Sequence, residues 1–211
     1  MRAPDRSVLP AKMLSPNVDG LLGAGLLRNF DLNFDFGNRT LNLMSRKHCK
    51  GQVVYWTADY ASIAFTLSRG QHLVIPMQLD GKRVKAVIDT GATQTVLGEA
   101  RARRLFGLSE NSPGVELPGS GVIRGCKFGY RFGSLSFEGV TVKRPLVHVC
   151  ADDTERAFWK NHIDDWRLYD PRQRPELDGA DLVVGMSILK DLRLYVSYDE
   201  EVLYASAAGA R

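Results

Sequence analysis

The alternation of hydrophobic and polar positions predicts a chain built mainly from β-strands. After residue 60, apolar side chains recur at every second position in short segments that end at Gly, Asp or Asn residues. Strands are expected at 62–67, 73–79 and 84–89, with the hairpin turn Asp80-Gly81 between the last two. Pro76 has no backbone N–H to donate, so its strand is expected at a sheet edge or a bulge.

The same pattern continues toward the C-terminus with one short helix. Residues 99–106 can form that helix, and two longer strands at 128–137 and 140–149 are expected to pair around Glu138-Gly139. Residues 151–178 form a charged segment that is typical of a variable insertion. The pattern therefore predicts an all-β fold with short helices.

A second pattern relates the two ends of the chain. Residues 19–44 resemble residues 181–206 at a constant offset of 162 positions, and both stretches predict an apolar-Gly entry, a helical turn and two strands. Because each copy spans several elements, the pattern indicates domain duplication; the alternative is an N-terminal extension that matches by chance, since short apolar patterns recur easily. The positions in register are Asp19/Asp181, Gly23/Gly185, Leu27/Leu189, Leu32/Leu194 and Leu41/Leu203.

Composition is that of an ordinary globular chain. The 211 residues are 44% apolar and 25% charged, and no apolar run approaches the roughly 18 residues that span a bilayer. The net charge is +4 and the pI about 9.0. The densest basic cluster, Arg101, Arg103 and Arg104, has no interleaved aromatic residues, which favours a solvated helix face. We expect no membrane span, no export signal and no nucleic-acid partner.

The cysteines and histidines do not form a metal-binding pattern. Cys126 and Cys150 could form a disulfide in an oxidising compartment, but buried free thiols are equally compatible with the sequence. His48 and Cys49 are adjacent, so on a strand their side chains would point to opposite faces and could not chelate one ion. We expect neither a metal nor a cofactor.

The run Ala86-Val87-Ile88-Asp89-Thr90-Gly91-Ala92-Thr93 carries the candidate chemistry. Its apolar residues lead a buried strand into a turn that presents the carboxylate of Asp89. A carboxylate that activates water needs a close backbone approach, which Gly91 permits, and a nearby hydroxyl donor, which Thr90 supplies. Asp-Thr-Gly alone is a weak signal because Asp and Gly are ordinary turn residues. Other parts of the sequence are needed to show whether this run is a catalytic loop or an ordinary turn.

The deciding context is the stretch 181–192, in which Leu182, Val183 and Val184 precede Gly185 and a short apolar helical segment. With the Asp-Thr-Gly run, in this order, it resembles retropepsin-like, retroviral-type aspartyl proteases of bacteria over about residues 58–206. The resemblance implies a closed β-barrel or sandwich. It also implies that Val183, Val184 and Gly185 pack across the Asp-Thr-Gly loop, and weakly favours the periplasm or cell envelope.

The resemblance also implies the site residues. Asp89, Thr90 and Gly91 would be catalytic, and Ala92 and Thr93 would border the substrate. The flap that closes over substrate in this family would lie within 115–126, although a passive loop fits these residues equally well. The flap residues expected to bind substrate are Gly119, Ser120, Gly121 and Val122.

The domain prediction combines the resemblance with the repeat. Residues 1–46 are interpreted as the C-terminal remnant of a preceding retropepsin-like unit, and 47–58 as a connecting segment. Residues 59–206 form the protease domain, followed by a tail at 207–211. The chain is thus interpreted as a truncated tandem protein.

Peptide hydrolysis by this chemistry needs two aspartates that share a proton, and the sequence contains Asp-Thr-Gly once. The predicted function is an aspartic endopeptidase acting as a homodimer, with Asp89 from each copy, or as a pseudo-dimer with a missing upstream unit. A catalytically inactive module that binds extended peptides is the alternative. A phosphate-binding turn of the actin and sugar-kinase type would need two lobes and a much longer chain.

Overall fold

The computed structural model describes residues 8–10, 20–68, 71–117, 126–151 and 180–209. These residues form a ten-stranded sheet, a five-stranded sheet and a two-stranded sheet. The fold is mainly β with short helices, as predicted, and the two larger sheets are sandwich-like rather than closed into a barrel. One hydrophobic core contains residues of both larger sheets, among them Leu32, Ile63, Ile75 and Leu97.

The ten-stranded sheet carries most of the central part of the chain. Its strands are β6 (Thr66–Leu67), β7 (Leu73–Leu79), β8 (Lys82–Ile88), β9 (Val96–Gly98), β10 (Val115–Glu116), β11 (Cys126–Arg131), β12 (Ser134–Phe137), β13 (Val140–Lys143), β14 (Leu146–Cys150) and β15 (Leu182–Val184). They lie in the order β10-β11-β14-β9-β15-β8-β7-β12-β13, with β6 also paired to β7. The parallel pair of β8 and β15 at its centre brings distant parts of the sequence together.

The other elements lie mainly toward the two ends of the chain. The two-stranded sheet pairs β1 (Val8–Pro10) with β2 (Gly20–Leu22), and the five-stranded sheet has the order β4-β3-β16-β17-β5. The members of the latter are β3 (Asp31–Asp35), β4 (Thr40–Met44), β5 (Ala61–Ala64), β16 (Leu192–Ser197) and β17 (Val202–Ala207). The helices described are α1 (Ala24–Leu27), α2 (Glu99–Phe106) and α3 (Met186–Leu189). No described helix has the length and apolar character needed to cross a membrane.

The two long strands expected at 128–137 and 140–149 are each divided, which corrects that prediction. The hairpin around Glu138-Gly139 exists, but it joins only β12 to β13, while β11 pairs with β14. The breaks lie at Phe132-Gly133 and Arg144-Pro145, where Phe132 N donates to Pro145 O and Arg144 N to Gly133 O. Pro145 lacks an N–H and Arg144 has a φ of 51°, so neither residue can continue a regular ladder.

Strand β7 is not an edge strand, because it lies between β8 and β12. Pro76 nevertheless sits where no ladder bond is needed on one side of β7. On that side β6 pairs with Leu73 and Val74, and β12 pairs with Gln78 and Leu79, so neither reaches Pro76. The missing N–H of Pro76 therefore falls in the gap between β6 and β12, where no ladder donor is needed. A proline within a strand requires such a position because it has no N–H to donate.

The connecting segment packs on the five-stranded sheet. Val53 and Trp56 are buried with Tyr195 and Tyr204 in a second apolar cluster, and Trp56 Nε1 donates to Ser206 Oγ at 2.9 Å. The apolar patch of residues 53–56 therefore covers β16 and β17 and bridges both ends of the chain.

The three cysteines divide into a pair and a free thiol. Cys126 and Cys150 are opposite each other on β11 and β14 and form a disulfide, whereas Cys49 is exposed and free. The disulfide closes one end of the β11–β14 ladder.

Candidate active site

Asp89 lies directly after β8, a central strand of the ten-stranded sheet. Strand β8 has β7 on one side and β15 on the other, and Ala86 and Val87 are at most 1% exposed. Asp89 N donates to Val184 O at 3.0 Å, which extends the β8–β15 pairing into the turn. Asp89 itself is half-buried. The sheet thus holds the backbone of Asp89 while its side chain reaches the molecular surface.

The turn after Asp89 is organised around its carboxylate. Gly91 N donates to Asp89 Oδ1 at 2.8 Å, and Ala92 N donates to Asp89 O at 3.3 Å. A Cβ on Gly91 would lie 3.2 Å from Oδ1, which is a close approach. Thr90 and Thr93 are exposed and Ala92 is half-buried. The backbone therefore supports one carboxylate oxygen, and the neighbouring side chains face outward.

Gly185 lies where a second segment crosses this loop. A Cβ at Gly185 would stand 2.2 Å from Gln94 O and 2.7 Å from Ala92 O, so no side chain fits without moving the backbone. After the crossing, Met186 N donates to Ala92 O at 2.8 Å and Ser187 N donates to Thr93 O at 2.9 Å. The first turn of α3 and the Asp89 loop thereby form one hydrogen-bonded unit.

A buried hydroxyl pair completes that unit. Thr95 is fully buried, and its Oγ1 lies 3.1 Å from Ser187 Oγ and accepts a hydrogen bond from Gly185 N at 3.2 Å. Thr95 N donates in turn to Ser187 Oγ at 3.1 Å. No sequence motif predicted this pair. Its only sequence signal is a small hydroxyl residue near each motif, six positions after Asp89 and two after Gly185.

Asp181 fixes the entry to β15. Its backbone N donates to Lys85 O at 2.8 Å, and its Oδ2 accepts from Lys85 N at 2.9 Å. Arg101 Nε on α2 lies 2.6 Å from Asp181 Oδ1. One member of the basic cluster interpreted as a solvated helix face therefore has a structural partner. The pair connects α2 to the strands that carry the candidate site.

His148 is buried beside the candidate loop. It is 0% exposed, and among the described residues neither ring nitrogen has a hydrogen-bond partner. Its backbone N donates to Thr95 O at 2.9 Å, and its side chain shares a sheet face with Val96 on the neighbouring strand. Burial lowers the pKa of His148 from its ordinary value near 6.5, although Glu116 acts in the opposite direction. The ring is therefore uncharged at neutral pH.

The structure brings Asp89, Ala92, Thr93, Val184 and Gly185 together in one place. Thr90, Gly91 and Val183 belong to the same loop and strand. The expected flap residues Gly119, Ser120, Gly121 and Val122 lie outside the described residues.

Comparison with known protein families gives a match that includes the Asp89 loop. Residues 75–158 match the family model described as aspartyl protease. No curated protein sequence matches the chain.

The solved structures that resemble this chain have low sequence identity to it. The soybean basic 7S globulin is 10% identical with a TM-score of 0.51, over 92% of this chain and 59% of that one. A retropepsin-like aspartic protease from Rickettsia conorii is 18% identical with a TM-score of 0.44, over 74% of this chain and all of that one. The retroviral protease-like domain of Ddi1 from Leishmania major is 19% identical with a TM-score of 0.32, over 56% and 75%. Residues 75–158 therefore match the aspartyl protease family model, and the chain shares its fold with the soybean basic 7S globulin.

Proposed function

We propose that the chain is one half of an aspartic endopeptidase, in which Asp89 supplies one of two catalytic carboxylates. The observation that carries the proposal is the loop in which Gly91 N donates to Asp89 Oδ1 beneath the crossing at Gly185. This arrangement holds one oxygen of the carboxylate by a backbone N–H. The Asp89 loop, but not Gly185, lies within residues 75–158, which match the aspartyl protease model.

The proposed mechanism uses two carboxylates that share one proton. Like charges about 3 Å apart cannot both ionise, so one carboxylate stays protonated, as is general for aspartic proteases. The ionised carboxylate removes a proton from water, which attacks the scissile carbonyl carbon. The protonated one donates a hydrogen bond to the carbonyl oxygen as negative charge develops there. Transfer of a proton to the leaving nitrogen then breaks the C–N bond.

The second carboxylate has to come from outside this loop, since the sequence contains Asp-Thr-Gly once. A second copy of the chain could provide its own Asp89 across a two-fold axis, or a preceding unit could provide an equivalent aspartate. The outward position of Thr90 and the half-buried Asp89 support either arrangement, because both leave the carboxylate accessible to a facing loop.

We propose an extended peptide with apolar residues beside the cut as the substrate. Ala92 and Thr93 belong to the Asp89 loop, and we propose that they and residues 119–122 contact the peptide. Main-chain hydrogen bonds to an extended strand would then supply affinity, and pockets for alternate side chains would supply selectivity. Cleavage only beside charged residues in a peptide library would contradict this substrate class.

A peptide-binding module without hydrolysis is the second candidate. The single Asp-Thr-Gly favours it, because one carboxylate can hydrogen-bond a peptide but cannot divide the acid and base roles. Binding of a transition-state-mimicking peptide without cleavage, in a preparation that contains two Asp89 loops per particle, would favour this candidate.

The test compares wild-type chain with Asp89→Asn and a matched control, Asp59→Asn, at an exposed aspartate remote in sequence. Cleavage of a peptide library is measured over a range of protein concentrations. We expect an inactive monomer, and any cleavage should rise more steeply than protein concentration and disappear only in Asp89→Asn. A fully active monomer, or cleavage retained in Asp89→Asn, would overturn the proposal.

A further inference from the structure

Two segments of the chain have the same elements at the same spacing. The N-terminal segment is defined here as residues 20–44 and the C-terminal segment as residues 182–206. Strand β2 matches β15, and α1 matches α3, residue for residue at the offset of 162 positions. The hairpins also share one register, since Asp31 opposes Met44 and Arg193 opposes Ser206.

The two hairpins meet around a local two-fold axis. Strand β3 pairs antiparallel with β16, and Asn33 lies opposite Tyr195, which is its own counterpart at the offset of 162. On either side, Leu32 opposes Val196 and Phe34 opposes Leu194. Exchanging the two segments reproduces the same pairs, which is the property of an isologous interface. The edge of β16 is therefore occupied by β3 of the same chain.

The C-terminal segment is covered by the elements of residues 61–150, which precede it in sequence and which we call the lobe. Strand β15 lies between β8 and β9, and β17 pairs with β5. Three apolar side chains of the segment are buried there: Val184 is 0% exposed, Leu203 1% and Ala205 0%. The strands of the preceding lobe that pair with the segment belong to residues 61–98.

The N-terminal segment has no such cover within the described residues. The counterparts of those three side chains are Leu22, 57% exposed, Leu41, 38%, and Leu43, 47%. Strand β4 is the outer strand of the five-stranded sheet. Among the described residues, β2 pairs with β1 alone, whereas its counterpart β15 pairs with both β8 and β9. We call Leu22, Leu41, Leu43 and the free edge of β4 the N-terminal face. Large apolar residues on a free strand edge mark an interaction surface.

The backbone N–H groups that follow Gly185 and Gly23 show the same difference between the two segments. Met186 N and Ser187 N donate to carbonyls of the Asp89 loop, at Ala92 O and Thr93 O. Their counterparts, Ala24 N and Gly25 N, donate to no carbonyl in the part of the chain that the structure describes. The helical turn after each segment's Gly is otherwise the same, because Leu26 N and Leu27 N bond to Gly23 O as Ile188 N and Leu189 N bond to Gly185 O.

We propose that the N-terminal face binds a second lobe with the elements of residues 61–150, carried on the N-terminal side of the same polypeptide. Its first strand would pair with β4, and its own Asp-containing loop would accept hydrogen bonds from Ala24 and Gly25. A lobe on that side is favoured because the lobe of the C-terminal segment also precedes it. A second copy of this chain does not fit, since its lobe is already bound to its own C-terminal segment.

The inference rests on the proposed function only for the role of the second aspartate. The two-fold axis at Asn33 and Tyr195 would carry Asp89 to an equivalent position in the second lobe. Binding of that lobe depends on apolar cover and strand pairing, which can be measured without any activity.

Matched lysine substitutions in the full chain test whether the C-terminal segment is covered while the N-terminal face is not. Leu203→Lys places a charge in the core and should lower the unfolding midpoint steeply. Leu41→Lys lies on the uncovered face and should change the midpoint by no more than about 2 °C. Equal losses in the two variants would mean that the N-terminal face is already covered, and would overturn the proposal.

A fusion supplies the proposed lobe. Residues 59–180 are joined directly to Asp19, as residue 180 is joined to Asp181 in this chain. Hydrogen exchange of residues 40–44 should slow to the level of residues 202–206, and Leu41→Lys in the fusion should become as damaging as Leu203→Lys. Peptides from residues 61–98, present twice with identical mass, should exchange as one protected population.

Two populations of those peptides, one protected and one not, would overturn the proposal, as would a fusion that does not fold or fast exchange at residues 40–44. A fusion with both lobes folded that cleaves no peptide would leave the binding surface correct and contradict the proposed function instead. The two failures are therefore distinguishable.

Discussion

At the scale of single residues, the candidate site depends on contacts that leave no room for substitution. Gly185→Ala should destabilise the protein by about 3 kcal/mol or more, because its Cβ would meet Gln94 O at 2.2 Å and force the two crossing segments apart. Gly37→Ala is the control, since its nearest heavy atom would be Gly209 N at 3.4 Å. Urea unfolding of both variants gives the comparison. Equal stability of the two would show that the crossing tolerates a side chain.

The hydroxyl pair behind the loop should behave as one unit. Thr95→Val leaves Gly185 N without its acceptor, and Ser187→Ala leaves Thr95 N without its acceptor. We expect each change to cost about 1 to 2 kcal/mol of unfolding free energy, and the double variant to cost less than their sum. A double-mutant cycle measures the coupling. Strict additivity would mean that the two hydroxyls act independently.

His48 should make the stability depend on pH. Burial alone would lower its pKa, but the bonds with Cys49 O and Asp31 together outweigh burial, so the pKa lies above its ordinary value near 6.5. The folded state therefore binds this proton more tightly than the unfolded state. The stabilisation is complete below pH 6.5 and is lost as pH rises through the raised pKa.

The measurement is the difference in unfolding free energy between wild type and His48→Gln across pH. This difference should be largest at acidic pH and should shrink toward alkaline pH. His148 supplies the contrast, because burial lowers its pKa and its effect on stability has the opposite sign: stability is lost as pH falls below 6.5. A His48→Gln difference that grows with pH would contradict the assignment.

At the scale of elements, the sequence pattern predicted the strands and helices whose bounds depend on interactions between residues close in sequence. The strand at 73–79 and the helix at 99–106 have the predicted bounds, because alternation, an apolar helix face and Gly107 at φ 66° all act within a few residues. The breaks at Phe132-Gly133 and Arg144-Pro145 were not predicted. They depend on two turns that bond to each other across the sheet, which sequence windows do not contain.

The assembly of the five-stranded sheet could not be predicted from local sequence pattern either. Its two hairpins were predicted separately, but their pairing joins residues about 160 positions apart. A charge pair links β3 and β16: Arg193 Nη1 lies 3.0 Å from Asp35 Oδ2, and the Arg193 guanidinium lies 4.2 Å from the centroid of the Trp56 ring. Both charged side chains are nearly buried.

Arg193→Ala should therefore weaken the pairing of the hairpins. We expect a loss of about 3 kcal/mol, because Asp35 would keep a buried charge without its cation and Trp56 would lose its packing partner. Arg83→Ala, at an exposed position of β8, should change stability by no more than about 0.5 kcal/mol. Thermal unfolding provides the measurement, and a neutral Arg193→Ala would show that the interface is held by its backbone ladder alone.

At the scale of the whole molecule, the sequence predicted the match to aspartyl proteases and the crossing of the Asp89 loop at Gly185, because two short motifs specify a close approach of two backbone segments. The division into 1–46, 47–58, 59–206 and a tail remains a prediction. The sequence did not predict that the N-terminal segment lies beside the C-terminal one around a two-fold axis, since offset alone does not determine contact. That arrangement is what makes a second lobe the proposed source of the second carboxylate.

The most direct test of the central claim is peptide cleavage by the fusion that contains two Asp89 residues, measured at mildly acidic pH. With both aspartates present we expect hydrolysis, and Asn at either position alone should lower the rate at least about a hundred-fold, since each carboxylate is needed for half of the proton transfers. Hydrolysis that persists with one aspartate replaced, or its absence when both lobes are folded and both aspartates intact, would contradict the account.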